Sequence, residues 1–190
     1  MMRGEGESVM PKHIRKPAPA LSILAALLFL CLVLSACSGE GSGKPEADLD
    51  KIVGEITEKY GLTGGYTFSS SYTELGKYLD EDLIQGYYGD AFSVPDFSKI
   101  SGYCVYIDQN DANVIIDVGL FRMNDMSYSS TLKDFLNARI LDKREDYDEY
   151  PTIDIETLDS AVIGEYGDIV YYVVAHQVDD IVKDIKEAIK

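Results

Sequence analysis

Residues 160–176 read SAVIGEYGDIVYYVVAH, which is the clearest structural pattern in the chain. Two runs rich in β-branched and aromatic residues, 160–166 and 169–176, flank Gly167-Asp168, which is typical of a tight turn between antiparallel strands. Directly afterwards, apolar residues recur at helical spacing; they are Val178, Ile181, Val182, Ile185 and Ile189. The C-terminal part of the chain therefore predicts a strand–strand–helix unit.

A second unit of the same kind precedes it. Residues 103–107 and 113–123 predict two strands joined by a turn at 109–112. A helix is expected next, with Ser127 as its N-cap. Its inner face would comprise Leu132, Phe135, Leu136 and Ile140. Two adjacent antiparallel hairpins, each followed by a helix, predict an α+β domain in which the helices pack on one face of the sheet.

The segment upstream of both units is mainly helical. A first helix is expected to stop at Tyr60-Gly61, and its apolar residues at helical spacing are Leu49, Ile52, Val53 and Ile56. Tyr66 and Phe68 alternate as in a short strand, and residues 75–87 predict one helix or two short ones. The expected domain spans residues 48–190, with N-terminal helices before the two strand–strand–helix units.

The first 47 residues predict a targeting segment. Residues 12–16 carry positive charge, and residues 21–34 form an apolar run that is too short for a comfortable spanning helix. Leu34-Ser35-Ala36-Cys37 resembles a bacterial lipobox, in which the signal is cut before a lipidated cysteine. We expect a signal peptide over residues 1–36, then lipidated Cys37 and a flexible tether over residues 37–47. An uncleaved anchor and an ordinary signal-peptidase cut are the alternatives.

A lipid on Cys37 would hold the domain at the cell membrane, on its extracytoplasmic face. Resemblance to bacterial lipoproteins implies a diacylglyceryl thioether on this cysteine, often with a further acyl chain, such as palmitate, on its amine. Two or more chains give stable anchoring, whereas one chain binds only marginally. The membrane is therefore the first expected partner.

Charge and cysteine content exclude several classes of partner and of fold. The chain carries 17 basic and 33 acidic side chains, a net charge of −16. Residues 1–36 hold four basic and two acidic side chains, so their removal would leave a net charge of −18. Such a surface repels phosphate backbones, and no nucleic acid is expected as a partner. Only Cys104 would remain beside the lipidated cysteine, so no intramolecular disulfide is expected.

No pattern in the sequence assigns catalysis. Cys104 and His176 are the one unlipidated thiol and the one histidine of the expected mature chain. An apolar strand in an acidic protein raises the pKa of a thiol, so a buried structural cysteine is favoured over a nucleophile. The densest carboxylate runs, 80–82 and 145–149, are typical of solvated faces rather than of the buried acid that hydrolysis needs. We assign no catalytic residue and expect no enzyme, with activity left open.

Metal and cofactor sites are not indicated either. Asp108, Asn110 and Asp111 cluster in the expected turn, and hard oxygens suit calcium. Their spacing departs from that of an EF-hand, and Asp and Asn are ordinary turn formers. One histidine and one thiol are too few for zinc. We assign no metal and no cofactor.

Tyrosine is the unusual apolar component, with 14 Tyr and no Trp. A Tyr ring is amphipathic and loses little entropy when ordered, which favours contacts with peptides or glycans. Tyr147 and Tyr150 lie just before Pro151 in an expected loop and are the candidate binding residues. Tyr87-Tyr88 and Tyr171-Tyr172 are further candidates, although a structural role is favoured because adjacent residues of a strand point to opposite faces.

Several short motifs carry a family resemblance over residues 50–190, the whole expected domain. They are Leu83 to Tyr88-Gly89, Asp117-Val118-Gly119-Leu120-Phe121-Arg122, Leu136 to Arg139, Tyr150-Pro151, Ala161-Val162-Ile163 and Gly167-Asp168-Ile169-Val170. In this order the chain resembles the bacterial lipoprotein family catalogued as domain of unknown function 4358. Arg122 stands where lysine is more usual, which keeps the charge. The resemblance implies a Gram-positive surface lipoprotein and supplies no activity and no catalytic residues.

The expected function is that of a membrane-anchored, extracytoplasmic, non-enzymatic binding or interaction module. Its ligand would be a cell-envelope peptide, glycan or protein. The alternative is a carboxylate-dependent cell-envelope hydrolase, and a third class is a protein that assembles through its sheet. A pocket with a buried carboxylate of shifted pKa would favour the enzyme, a shallow exposed Tyr patch would favour binding, and a bare sheet edge would favour assembly.

Overall fold

The computed structural model describes residues 46–88, 94–108, 115–149 and 155–190. The expected signal peptide, Cys37 and the tether up to residue 45 lie outside these ranges, so the predictions made for them stay predictions. None of the described helices combines the length and the hydrophobicity that a bilayer-spanning helix requires.

Within the described ranges there are five α-helices and five strands, which confirms the α+β prediction. The helices are α1 (Leu49–Lys59), α2 (Glu81–Tyr88), α3 (Ser129–Glu149), α4 (Ile155–Asp159) and α5 (Val178–Ile189). The strands are β1 (Tyr66–Ser69), β2 (Ile100–Asp108), β3 (Ile116–Met123), β4 (Val162–Tyr166) and β5 (Ile169–Val174). Apart from α4, which was not predicted, the helices and strands follow the predicted order along the chain.

All five strands form one antiparallel sheet in the order β1-β2-β3-β5-β4. Residues 162–174 form the β4–β5 hairpin, with Tyr166 opposite Ile169. Gly167 in its turn has a φ of +62°, a backbone conformation that glycine adopts without the clash a Cβ would cause. The predicted hairpin is thus confirmed, and it lies beside β3 at one side of the sheet.

The helices cover both faces of the sheet, and the expectation that they pack on one face was wrong. α2, α3 and α4 pack on the face that carries Val105, Phe121 and Tyr172. α1 and α5 pack on the face that carries Cys104, Leu120 and Tyr171. The reason is visible in β5, whose six residues are all buried: an uninterrupted apolar strand needs cover on both sides, whereas a strand with one wet face alternates.

The terminal helices of the domain, α1 and α5, form the second of these layers. Asp48 caps α1 by accepting a hydrogen bond from the Lys51 N–H at 3.0 Å. Asp184 of α5 accepts hydrogen bonds from Lys59 Nζ and, at 2.7 Å, from the Tyr60 hydroxyl, so the end of α1 is tied to α5. The apolar faces predicted for both helices are confirmed; their buried members are Leu49, Ile52, Val53, Ile56, Val178, Ile181 and Ile185.

Three local predictions need correction. The N-cap expected at Ser127 is replaced by Asp125, which accepts the Ser127 N–H at 3.0 Å and starts a 3-10 turn, so α3 begins only at Ser129. Residues 75–80 are not helical, because Gly76 adopts a φ of +81° there, and α2 starts at Glu81. The strand expected from residue 113 begins at Ile116, and residues 113–114 lie outside the described ranges.

Candidate functional site

The tyrosines first chosen as binding residues do not occupy a described loop. α3 continues to Glu149, so the backbone of Tyr147 is helical and the loop expected there was wrong. The reason is that no Gly or Pro interrupts residues 129–149, so the helix continues almost to Pro151. Tyr150 lies outside the described residues, and the pairing of these two rings therefore stays untested.

The other tyrosine pairs belong to the core. Tyr171 and Tyr172 are both buried, on opposite faces of β5, as the alternation of a strand requires. The Tyr172 hydroxyl lies 3.1 Å from that of Tyr88, which is also buried. Burial raises the pKa of Tyr88 to about 12, so its hydroxyl stays protonated. The structural role favoured for Tyr88, Tyr171 and Tyr172 is confirmed.

The loop that follows β1 carries one exposed ring, that of Tyr72, and one partly buried ring, that of Tyr78. This aromatic loop comprises residues 70–78, and the side chain of Tyr72 is 47% exposed. Tyr72 and Tyr78 line an open groove of about 340 Å³ together with Ser70 and Thr73. Leu75, which is 77% exposed, lies on the same loop. The groove is therefore open and is lined by two Tyr, one Ser and one Thr.

Hydrogen bonds within the aromatic loop fix its course. The Ser69 N–H donates to the Lys77 carbonyl at 2.9 Å, which closes the loop at its base. The Tyr72 N–H donates to the Ser69 carbonyl at 3.2 Å, and the Lys77 N–H donates to the Glu74 carbonyl at 3.1 Å. Gly76 lies inside the turn that the Lys77–Glu74 hydrogen bond closes, and it adopts the left-handed conformation there. The loop is therefore a series of turns, each closed by a backbone hydrogen bond.

Tyr103 of β2 anchors the loop to the sheet. Its backbone N–H donates to Ser70 Oγ at 2.9 Å, and its carbonyl accepts the Ser70 N–H at 3.1 Å. Its buried hydroxyl accepts the Leu79 N–H at 2.8 Å. Burial raises the pKa of this hydroxyl, which keeps it neutral. Both ends of the aromatic loop are thus held by one core residue, and the rings of Tyr72 and Tyr78 are presented by a preorganised support.

The thiol and the imidazole considered as a catalytic pair occupy different settings. Cys104 is fully buried in β2, and burial together with nearby Asp50 raises the pKa of its thiol well above the usual range. His176 lies in the turn between β5 and α5 and is exposed. A thiol that stays protonated and out of reach of solvent is a poor nucleophile, which agrees with the structural role favoured for it.

One buried carboxylate, that of Asp117, was not predicted from the sequence. Asp117 of β3 and Arg139 of α3 are both nearly inaccessible, and Arg139 Nε donates to Asp117 Oδ2 at 2.9 Å. Burial raises the pKa of Asp117, while the Arg139 guanidinium opposes that rise. The signal was present in the sequence, because Asp117 interrupts an apolar strand and Arg139 falls between the inner-face residues Leu136 and Ile140.

The carboxylate runs singled out earlier behave as surface groups where the structure describes them. Asp80 caps α2 by accepting the Leu83 N–H at 2.8 Å, while Glu81, Asp82 and Glu145 are exposed. Within the described ranges, no three His, Cys, Asp or Glu side chains are grouped so as to hold a metal ion. Of the turn considered for calcium, Asp108 ends β2, and Asn110 and Asp111 lie outside those ranges.

No match to this chain was found among protein-family models, curated proteins or solved structures. The resemblance to the lipoprotein family catalogued as domain of unknown function 4358 therefore stays an expectation that rests on the quoted motifs. Any functional assignment therefore rests on the chemistry of the described residues, and the groove of the aromatic loop is the candidate site.

Proposed function

We propose that this protein is a lipid-anchored, extracytoplasmic binding module without enzymatic activity, and that the aromatic loop contacts its ligand. The observation that carries the proposal is that Tyr72 and Tyr78 line an open groove on a loop fixed to the sheet through Tyr103. The leader and Cys37 support the location at the membrane, and the ligand would be a peptide, glycan or protein of the cell envelope.

The physical basis of the proposal is preorganisation. Binding costs less when the contacting groups are already ordered, because each side chain immobilised on binding costs roughly 0.5–1.5 kcal/mol. The backbone of the aromatic loop is ordered by the hydrogen bonds of Ser69, Ser70 and Lys77. A Tyr side chain adds only two rotatable bonds to a large contact area. Tyr72 therefore combines exposure with a low ordering cost.

The alternative, a carboxylate-dependent hydrolase, has one observation in its favour, the raised pKa of buried Asp117. A general acid must reach its substrate and exchange a proton with it. Asp117 Oδ2 is instead held by Arg139, and the carboxylate is only 1% exposed. This environment fits an internal ion pair better than a catalytic acid, so the binding module is the stronger candidate.

Retention by the cell envelope tests the proposal. The lipidated full-length protein is purified in detergent micelles and incubated with envelope material from its own source, and the bound fraction is measured for wild type and Tyr72→Ala. We expect a clear loss for Tyr72→Ala. The matched control is Tyr66→Ala, which removes a ring that is 58% exposed and does not line the groove.

Two outcomes would contradict the proposal. Equal retention of wild type and Tyr72→Ala would show that the aromatic loop is not the contact surface. Turnover of envelope material that is abolished by Asp117→Asn, with the fold intact by circular dichroism, would replace the binding module by the hydrolase.

A further inference from the structure

We infer that the ligand of the aromatic loop is an uncharged glycan of the cell envelope, one of whose sugar rings lies in the groove against Tyr72. This inference rests on the proposed function and specifies its ligand class. Four features carry it: the hydroxyl-bearing lining, the blocked sheet edge beside the groove, the balance of charge around it, and its size.

The lining matches the two kinds of surface that a sugar ring presents. Ser70, Tyr72, Thr73 and Tyr78 all bear hydroxyl groups and none is charged at neutral pH. The Ser70 hydroxyl is occupied by the backbone of Tyr103. The hydroxyls of Tyr72, Thr73 and Tyr78 make no hydrogen bond within the described part of the chain, so they are open to the hydroxyl rim of a sugar. An aromatic face complements the C–H face of the same sugar.

A peptide added as an extra strand is disfavoured by the way β1 ends. Recognition by strand addition needs a row of open backbone N–H and C=O groups at a sheet edge. The Ser69 N–H is already bonded to the Lys77 carbonyl, and the Ser69 carbonyl accepts the Tyr72 N–H. The aromatic loop thus covers the edge next to the groove, and a ladder along β1 could not continue past Thr67.

The charges near the groove favour a neutral ligand. The whole chain has a net charge of −16, which repels anionic polymers such as phosphodiester chains. Among the described residues no carboxylate lines the groove, so a cationic peptide would find no counter-charge from them inside it. Within the loop itself, Glu74 and Lys77 are both exposed and carry opposite charges. An uncharged sugar is not repelled by the net negative charge of the protein and needs no counter-ion in the groove.

The size of the groove sets the expected mode of binding. Its volume of about 340 Å³ is at the lower end of the roughly 300–1,000 Å³ found for small-molecule sites. One or two sugar rings fit such a site, so a single contact should be weak. Many copies on one membrane facing a repetitive glycan would gain avidity without any new contact. Weak single-site binding and strong retention by intact envelope are therefore expected together.

The experiment uses full-length lipidated protein in detergent micelles and a chitin-derived oligosaccharide as the uncharged probe. Titration is followed by saturation-transfer NMR, with a proline-rich peptide and a basic peptide of similar mass as parallel arms. We expect saturable oligosaccharide binding that weakens about tenfold in Tyr72→Ala, is kept within about threefold in Tyr72→Phe, and is unchanged in Tyr66→Ala. Equal melting temperatures for all variants ensure that folding is not what changed.

The outcomes separate this inference from the proposal beneath it. If a peptide binds in a Tyr72-dependent way and the oligosaccharide does not, the glycan inference is overturned and the binding module stands. If neither probe binds while envelope retention still depends on Tyr72, an uncharged glycan of this type is likewise excluded as the ligand. If retention itself is insensitive to Tyr72, the proposed function and the glycan inference fail together.

Discussion

Arg139 Nε lies 2.9 Å from Asp117 Oδ2 inside the layer between the sheet and α3. The same guanidinium donates to the Tyr87 carbonyl and lies over the Tyr88 ring, 4.6 Å from its centroid. One arginine thus joins α3 to β3 and to the end of α2. Within the described residues Asp117 Oδ1 accepts no hydrogen bond, so the hydrogen-bond partner of this carboxylate is Arg139, and the charge of Lys143 stabilises the carboxylate in the same sense.

Removing Asp117 should therefore destabilise the fold strongly. In Asp117→Ala the guanidinium of Arg139 stays buried without a counter-charge, which costs about 3–5 kcal/mol when a buried pair is broken from one side. Urea denaturation of residues 48–190, with the free energy of unfolding extrapolated to water, measures the loss. Replacing both partners, Asp117→Leu with Arg139→Met, should cost less than the single change. A single variant as stable as wild type would show that the pair is not a stabilising link.

α5 should prove an integral part of the core. Ile185 is fully buried between α5, α1 and the sheet, so Ile185→Ala should lower the free energy of unfolding by about 2–5 kcal/mol. Thermal and urea denaturation measure this change. Lys183→Ala, an exposed position on the same helix, is the matched control and should be near neutral. Similar melting curves for Ile185→Ala and wild type would mark the helix as peripheral.

Cys104 should be a free but unreactive thiol. It is fully buried, and burial raises its thiol pKa, so little thiolate exists at neutral pH. Thiol titration of residues 48–190, which lack Cys37, should read near zero under native conditions and one equivalent in denaturant. Cys104→Ser gives the blank for both conditions. Rapid labelling of the native protein would argue for an accessible nucleophile instead.

Acid should weaken the link between α1 and α5. Hydrogen bonds from Lys59 and Tyr60 lower the pKa of Asp184 below that of the unfolded chain, about 3.9. Its stabilising contribution is therefore present above that value and is lost as pH falls through the lower pKa of the folded state. Melting temperature measured from pH 7 to pH 2 should fall below about pH 4, and less steeply in Asp184→Asn. Glu187→Gln, an exposed change on the same helix, should keep the wild-type profile.

Lipidation of Cys37 is the prediction that decides the location. Metabolic labelling with a fatty-acid analogue should mark the wild-type protein and leave Cys37→Ala unmarked, with the label in the membrane fraction. Cys104→Ala controls for acylation of the other thiol and should be labelled like wild type. Equal labelling of wild type and Cys37→Ala would remove the lipobox assignment.

Patterns along the chain were enough to predict the α+β class and the order of every helix and strand except α4. The hairpin around Gly167 and the helices that carry Ile52 and Ile181 follow from patterns of period two and period 3.6, which depend only on neighbours along the chain. Because these patterns depend only on neighbouring residues, some of the local predictions were wrong. Ser127 and Asp125 are both residue types that favour an N-cap. Which of them is the cap depends on the geometry of the turn before α3, and the sequence does not show that geometry.

Which helix packs on which face of the sheet, and which side chains come together in a site, depend on the tertiary structure. Tyr72, Tyr88 and Tyr172 are chemically identical, yet two are buried against helices and one is exposed on a loop, because burial depends on what packs across the sheet. Asp117 and Arg139 are 22 residues apart and become partners only when α3 crosses β3. Local periodicity carries no information about such pairings, since they are fixed by contacts between segments distant in the chain.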